Sequence, residues 1–229
     1  MNVGPDIAAT AALLGDPARA AMIDLLLGGE AYPAIVLAAK AGISAQTASA
    51  HLAKLAAGGL VVSTKSGRHR LYRLGSRKVA GAYEAIAAIS TLQPVRSLRQ
   101  SDESKAMGLV RMCYDHLAGF VGVSITDELL RCGAIAEQNR EYAMTRRGQS
   151  WFAKFGVDVA TLSQSRRKFA TQCLDWSERR SHIGGALGAA LADRMLASGW
   201  FTRRRANRSL IVTEDGWNGL RQRFGLARA

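Results

Sequence analysis

Ser44-Ala45-Gln46-Thr47-Ala48-Ser49-Ala50-His51-Leu52-Ala53-Lys54-Leu55 is the stretch on which the reading of this chain turns. Small or apolar residues at 45, 48, 52 and 55 fall on one face of a helix, while Gln46, Thr47, Ser49, His51 and Lys54 lie elsewhere on it. Ser44 stands where an N-cap belongs, and the run to about Ala57 is closed by Gly58-Gly59. Short hydroxyls and an amide at the N-terminal turn carry both donors and acceptors, and His51 and Lys54 further along suit an anion. An amphipathic surface helix with a solvated polar face has the same pattern, so the flanking segments decide between the two.

Upstream, Ile7, Ala11 and Leu14 mark a first helix. A second starts at Asp16-Pro17, carries Ala21, Ile23, Leu25, Leu26 and Leu27, and ends at Gly28-Gly29. A third runs from Pro33 to Ala41 and is closed by Gly42. Downstream the period switches. Leu60 to Thr64 and Leu71 to Leu74 are short β-prone runs around Lys65-Ser66-Gly67-Arg68-His69-Arg70, a hairpin with a basic tip. Helices followed by a basic hairpin describe a winged helix-turn-helix. Ser44, Gln46, Thr47 and Ser49 are then placed for base edges or phosphates, and His51 and Lys54 for phosphate. Arg68, His69 and Arg70 of the wing reach phosphate or minor groove. A helix from Ser76 to Ser90 carries Val79, Tyr83, Ile86 and Ala87 as one apolar stripe, which a small winged domain buries against a partner subunit. Residues 91–104 lose the periodicity and contain Pro94, and the domain boundary is expected there.

Residues 6 to 90 resemble the ArsR/SmtB family of bacterial winged-helix repressors. The resemblance rests on Leu14-Gly15-Asp16-Pro17-Ala18-Arg19, on Ser44, Thr47, Ser49, His51, Leu52 and Leu55 at their spacing, on Gly59-Leu60-Val61, and on Gly67-Arg68 and Tyr72. It implies a cytoplasmic homodimer, joined largely through the first and fifth helices, that sits on a double-stranded operator and releases it when an inducer binds. Two family features are absent. Ala34-Ile35-Val36-Leu37-Ala38-Ala39 offers no thiolate or imidazole where some members hold metal, and Ser76 to Ser90 has no His and only Glu84 as an acid. Members are usually about half this length, so sensing is expected to have moved into residues 105–229.

Composition agrees with a polyanionic partner: 31 Lys and Arg against 18 Asp and Glu give a net charge of +13 over 229 residues. The longest stretch free of charged residues, Ala41 to Ala53, is too short for a membrane-spanning helix, and no membrane partner is expected. The N-terminus reads as neither a secretory signal nor a transit peptide, so the protein is expected in the cytoplasm. Three cysteines without a CxxC pair, Cys113, Cys132 and Cys173, read as reduced thiols.

A weak repeat lies in the C-terminal part. Gly133, Tyr142 to Gly148, Trp151-Phe152 and Phe155-Gly156 are echoed by Gly199, Leu210 to Gly216, Trp217 and Phe224-Gly225. Each copy reads as helix, hairpin, then a helix N-capped by Thr, the second half of a winged-helix unit. The expected architecture is thus mainly α with short β-hairpins, an α+β chain. Residues 1–92 form a winged helix-turn-helix DNA-binding and dimerisation domain, and 105–229 a helical sensor or dimer-support domain with winged-helix-like repeats.

Cys113-x-x-His116, Cys132, and Cys173-x-Asp175-x-x-Glu178-x-x-x-His182 are the reactive-looking residues there. On helices, Cys113 and His116 share a face, as do Glu178 and His182. If the segments meet, thiolate and imidazole suit a thiophilic metal or metalloid as effector, although no cofactor is required. Cys and His are equally common as packed core residues. Arg179 and Arg180 are expected to pair with Asp175 and Glu178, or else to lower the pKa of Cys173. Ile183 to Leu196 reads as a small-residue packing helix, and Arg203 to Arg208 as a second basic hairpin, solvated or on flanking phosphate. The function expected is a sequence-specific DNA-binding regulator, a repressor released by an effector in the C-terminal domain, and not an enzyme. The alternatives are a non-specific nucleoid-type protein, which fits the charge but not the recognition-helix pattern, and a thiol-dependent enzyme. The latter would use Cys113 or Cys173 as nucleophile, His116 or His182 as base and Asp175 as orienter, but no nucleophile motif surrounds either cysteine.

Overall fold

The computed structural model describes residues 4–228. They form a mixed α+β chain of 11 helices and short hairpin strands. Two compact units emerge, Met1–Tyr83 with Arg205–Arg208, and Glu84–Arg204 with Ser209–Ala229. Their division in sequence falls inside one helix, at Tyr83 and Glu84, while residues 90–97 carry no helix or strand.

In the first unit, α1 (Ile7–Leu14) is capped by Asp6 and α2 (Pro17–Leu26) by Asp16, whose side chain accepts from the Arg19 amide with Pro17 in the first turn. Next come β1 (Tyr32–Pro33) and α3 (Ala34–Ala41), which ends at Gly42 with φ 67°. The stretch that opened the sequence reading becomes α4 (Ala45–Ala57), with Ser44 as N-cap accepting from the Thr47 amide. Strands β2 (Val61–Ser66) and β3 (His69–Leu74) pair from Val61↔Leu74 to Ser66↔His69, and β1 adds to β3 to complete a sheet ordered β1-β3-β2. The apolar face of α4, Ala48, Leu52 and Leu55, is fully buried with Met22, Ile23, Leu26 and Leu37. Burying that face leaves the opposite one in solvent, which is what positions the site. Helix α5 (Arg77–Ile89) begins in this unit, with the Tyr83 hydroxyl donating to the Ala20 carbonyl at 3.2 Å. Sequence reasoning missed β1: a two-residue strand containing a proline has no periodicity to read.

The second unit opens with α6 (Leu98–Leu109) on its Ser97 cap. No residue of α6 is buried, which is why this helix left no apolar period in residues 91–104. The chain then runs through hairpin β4 (Arg111–Cys113) and β5 (His116–Ala118), helix α7 (Gly119–Arg131), hairpin β6 (Ile135–Gln138) and β7 (Glu141–Met144), and helix α8 (Arg146–Phe155). After the short α9 (Val159–Ser163) the same order returns. Hairpin β8 (Gln172–Leu174) and β9 (Ser181–Ile183) precedes α10 (Gly185–Ala197), and hairpin β10 (Phe201–Arg203) and β11 (Leu210–Val212) precedes α11 (Glu214–Phe224). Hairpins were expected at β6–β7 and β10–β11 and are found there, while β4–β5 and β8–β9 are two more that the repeat did not reveal, giving eight strands in four two-stranded sheets. Strands of three or four residues are too short to show alternation.

The threonine caps were legible. Thr145 Oγ1 donates to the Gly133 carbonyl at 2.6 Å and accepts from the Gly148 amide at 2.9 Å. Thr213 Oγ1 donates to the Gly199 carbonyl at 2.7 Å and accepts from the Gly216 amide at 2.9 Å. Both α7 and α10 open on a left-handed glycine, Gly119 at φ 80° and Gly185 at φ 78°, where a side chain would strain the backbone. One core, including Val121, Leu129, Phe152, Leu187, Met195 and Leu220, fills this unit.

Candidate DNA-binding face and a buried Cys/His cluster

On α4 the residues Ser44, Gln46, Thr47, Ser49 and Lys54 are all exposed. Ser44 and Thr47 hydroxyls lie 2.8 Å apart, and Ser49 donates back to the Ala45 carbonyl at 2.9 Å. Gln46 and Thr47 are thus the long and short polar groups at the exposed N-terminal turn. His51 is half-buried where the other polar residues of α4 are exposed. Its side chain is 18% exposed, with Nδ1 3.2 Å from the Arg19 guanidinium and 3.8 Å from the Asp16 carboxylate. Arg19 also donates to the carbonyls of Ala12 and Leu13, so His51 belongs to the network tying α4 to α1 and α2. The Arg19 amide bond is the main reason that Asp16 titrates below the usual carboxylate range.

The wing tip is the Gly67-Arg68 turn between β2 and β3, and Arg68, His69 and Arg70 are exposed on it. The basic hairpin at 203–208 is not uniformly solvated. Arg208, in the first unit, is 4% exposed and its Nε lies 3.1 Å from Asp24.

In the second unit the structure gathers Cys113, His116, Cys173 and His182, whose ligand atoms all lie within 4.8 Å of one another. The helical readings of these motifs are corrected. Cys113 and His116 are directly opposed across the β4–β5 hairpin, which turns at Tyr114 with φ 62°, and Cys173 and His182 are opposed across β8–β9. A two-residue hairpin turn brings i and i+3 together as a helix does, so the adjacency was right and its cause was not. Glu178 lies outside the cluster, in the turn that follows β8, where its amide donates to Asp175 at 3.0 Å. Cys132 also lies outside, with its thiol toward the Leu129 carbonyl at 3.6 Å.

Cys113 and Cys173 sulfurs are 3.8 Å apart, and the His116 and His182 rings are 5.1 Å apart between centroids. The hydrogen bond with Cys173 and burial both push the Cys113 thiol well above its ordinary value. His116 Nδ1 faces Asp115 at 3.3 Å, and Asp115 is clamped by both Arg167 nitrogens at 2.8 and 3.0 Å. Burial raises Asp115, but the bonds to His116 and Arg167 outweigh it and hold it at about 2. The other ring nitrogen, His116 Nε2, is buried and has no hydrogen-bond partner among the described residues.

Behind His182 stands Asp175, fully buried, with Oδ2 3.5 Å from His182 Nδ1. That oxygen accepts from Arg111 at 2.9 Å and from the Gly119 amide at 2.7 Å. Oδ1 accepts from the Ser177 amide and hydroxyl and the Glu178 amide. Burial raises its pKa, yet Arg111 and these donors hold it well below the carboxylate range. Asp175 thus stands beside the cluster and is not one of the four clustered groups. Arg111 stacks over Trp176, 4.2 Å from the ring centre. Its role was not legible, because an arginine on a three-residue strand gives no sign of burial. The pairing expected for Arg179 and Arg180 is also corrected: Arg180 bonds Asp127 at 2.6 Å, and Arg179 donates to the Ala88 carbonyl.

The helix-turn-helix domain family matches residues 14–64. Over 93% of its length the chain is 41% identical to 95% of YdfF of Bacillus subtilis (strain 168), named as an uncharacterized HTH-type transcriptional regulator. It is 38% identical to 71% of the HTH-type transcriptional regulator CmtR of Mycobacterium bovis, over 35% of this chain. Among solved structures, a homodimeric winged helix-turn-helix DNA-binding domain from Mycobacterium bovis covers 39% of this chain and 89% of its own, at 26% identity and TM-score 0.34.

Proposed function

The chain belongs to the ArsR family of helix-turn-helix transcriptional regulators, and we propose that it is a cytoplasmic homodimeric repressor, released from its operator by an effector held in the C-terminal region. The observation that carries this reading is the exposed polar face of α4 beside an exposed basic wing on the same small unit. In a dimer, two such helices enter successive major grooves about 34 Å apart. Gln46 and Thr47 read base edges, Ser44, Ser49 and Lys54 position the helix on the backbone, and Arg68, His69 and Arg70 hold phosphate or minor groove. His51 contributes through its contact with Arg19, which sets the angle of α4.

Dimerisation is supported by α1, which buries no residue although only Thr10 in it is polar. Ile7 is 74% exposed, and on α5 Ile86 and Ile89 are 45% and 85% exposed. Apolar side chains of that size on two helices are what a second copy covers, in keeping with the first and fifth helices that the family uses. In this reading residues 1–92 bind and dimerise, residues 105–229 sense, and the two hairpin–helix–hairpin–helix runs are copies of one winged-helix-like module. An effector that couples to DNA by roughly 1 to 3 kcal/mol changes operator affinity about 5- to 150-fold.

Footprinting on the DNA upstream of the protein's own reading frame tests the proposal. A protected site with two-fold symmetry supports it. Uniform coverage with no preferred site identifies a non-specific DNA-coating protein instead.

A further inference from the structure

We propose that Cys113, His116, Cys173 and His182 together bind one four-coordinate divalent cation of the zinc and cadmium class, and that this cation is the effector. The second clause rests on the regulatory reading above; the first stands on the site alone.

Two thiols and two imidazoles converge from two separate hairpins, each supplying one Cys on its first strand and the opposed His on its second. Two thiolates bound tetrahedrally at about 2.3 Å from zinc stand about 3.8 Å from each other. The sulfurs here are 3.8 Å apart. As reduced thiols the pair is in hydrogen-bond contact at the spacing that one tetrahedral ion between them would keep. Each imidazole has a carboxylate behind it, Asp115 at 3.3 Å from His116 and Asp175 at 3.5 Å from His182. Asp115 is fixed by Arg167 and Asp175 by Arg111. A carboxylate on one ring nitrogen directs the other toward a metal. For His116 that other nitrogen, Nε2, is buried in a residue 8% exposed and has no hydrogen-bond partner among the described residues.

Charge selects the class of ion. Binding requires two thiolates and two neutral imidazoles, and every proton held by these groups leaves to solvent, so a divalent cation leaves the centre neutral, the state that burial penalises least. Thiolate with imidazole suits borderline and soft d10 ions rather than magnesium or calcium, which take oxygen ligands. Four protein ligands leave no open position, which marks a site that ties chain together rather than one that turns over substrate. The tie joins β4–β5 to β8–β9 and so fixes the helices α7 and α10 that follow them.

The test uses the full-length chain, reduced and stripped with chelator, titrated with cadmium or zinc alone. Cadmium uptake is read by sulfur-to-cadmium charge-transfer absorbance and equilibrium dialysis, and DNA binding by fluorescence anisotropy in parallel. One cadmium per chain is expected, with zinc displacing it, and operator affinity falls by about 5- to 150-fold on binding. Cys113→Ser and Cys173→Ser each lower cadmium affinity by more than about a hundredfold, beyond the 10- to 100-fold typical of losing an outer-shell partner, while Cys132→Ser leaves it unchanged. Circular dichroism of the metal-free variants separates loss of a ligand from loss of the fold, and Cys173, the half-buried thiol, is the safer of the two. Absence of stoichiometric uptake by the wild type overturns the site, as does uptake that survives both substitutions. Oxidation to a Cys113–Cys173 disulfide in a chain that takes no cation replaces it with a thiol switch. Uptake without change in DNA affinity overturns the effector clause alone. A folded chain that binds no DNA in either state overturns the regulatory reading, and the site is then decided by absorbance.

Discussion

Cys113 and Cys173 are separated by 60 residues in the chain and by 3.8 Å between sulfurs. The approach follows from the order of elements, since each cysteine sits on the first strand of a hairpin that leads into a helix opened by a left-handed glycine. Two local structures of the same kind, packed in one core, bring matched side chains of distant segments together.

The DNA face predicts two different kinds of loss. Gln46→Ala changes which sequence is preferred, because an amide pairs with base edges, with about 1 to 3 kcal/mol at one base-pair position. Arg68→Ala weakens binding to operator and random DNA alike and reduces the salt slope by about 1. Anisotropy titrations at several salt concentrations measure both. Equal loss on operator and random DNA for Gln46→Ala contradicts its assignment to a base.

Asp175→Asn leaves the Arg111 guanidinium buried without its charge partner, both side chains being wholly inaccessible. Removing one member of such a pair costs about 3 to 5 kcal/mol. Urea unfolding of the metal-free protein is expected to show a loss of that order, and a loss under about 1 kcal/mol is incompatible with the network described.

Gly148 and Gly216 follow the two threonine caps at the same distance. A methyl group at Gly148 meets the Ala134 carbonyl oxygen, and one at Gly216 meets the Trp200 carbonyl oxygen. Both alanine substitutions are therefore expected to destabilise by more than about 1 kcal/mol, through overpacking against backbone that cannot yield. Gly81→Ala in α5, where nothing lies within 4 Å of the added carbon, is expected to stabilise by about 0.4 to 1 kcal/mol. Thermal melts of the three variants give the signs.

Burial pushes the Tyr142 phenol up from 10.0 to about 12. The unfolded chain loses this proton near its ordinary value while the folded chain keeps it. The stability present below the unfolded pKa is therefore lost as pH rises through the folded one. Unfolding free energy is expected to fall between about pH 10 and 12, and Tyr142→Phe flattens that part of the curve. A Tyr142→Phe profile identical to wild type contradicts the burial described.

The N-terminal unit was legible because its signals are strong and local. Asp16-Pro17, Ser44 and Gly42 mark helix ends through capping chemistry, and the 45, 48, 52, 55 stripe marks the buried face of α4. The C-terminal unit was legible in its threonine caps. Hairpins β6–β7 and β10–β11 were legible through the repeat, but β4–β5 and β8–β9 were not, because three residues cannot display an alternation. Nor was Arg111, since burial of a charge is decided by the Asp175 partner 64 residues away. His51 illustrates the converse. Its place in the sequence suits phosphate, and its contact with Arg19, 32 residues earlier, could not be read from the local pattern.

Sequence-specific DNA recognition is assigned to α4. Competition anisotropy tests it most directly, with a labelled fragment from upstream of the protein's own reading frame challenged by random DNA of equal length at physiological salt. Binding to the fragment is expected to be about 10³-fold or more tighter than to random DNA, with that preference reduced about 5- to 150-fold in Gln46→Ala. Equal affinity for both DNAs, unchanged by Gln46→Ala, would contradict it.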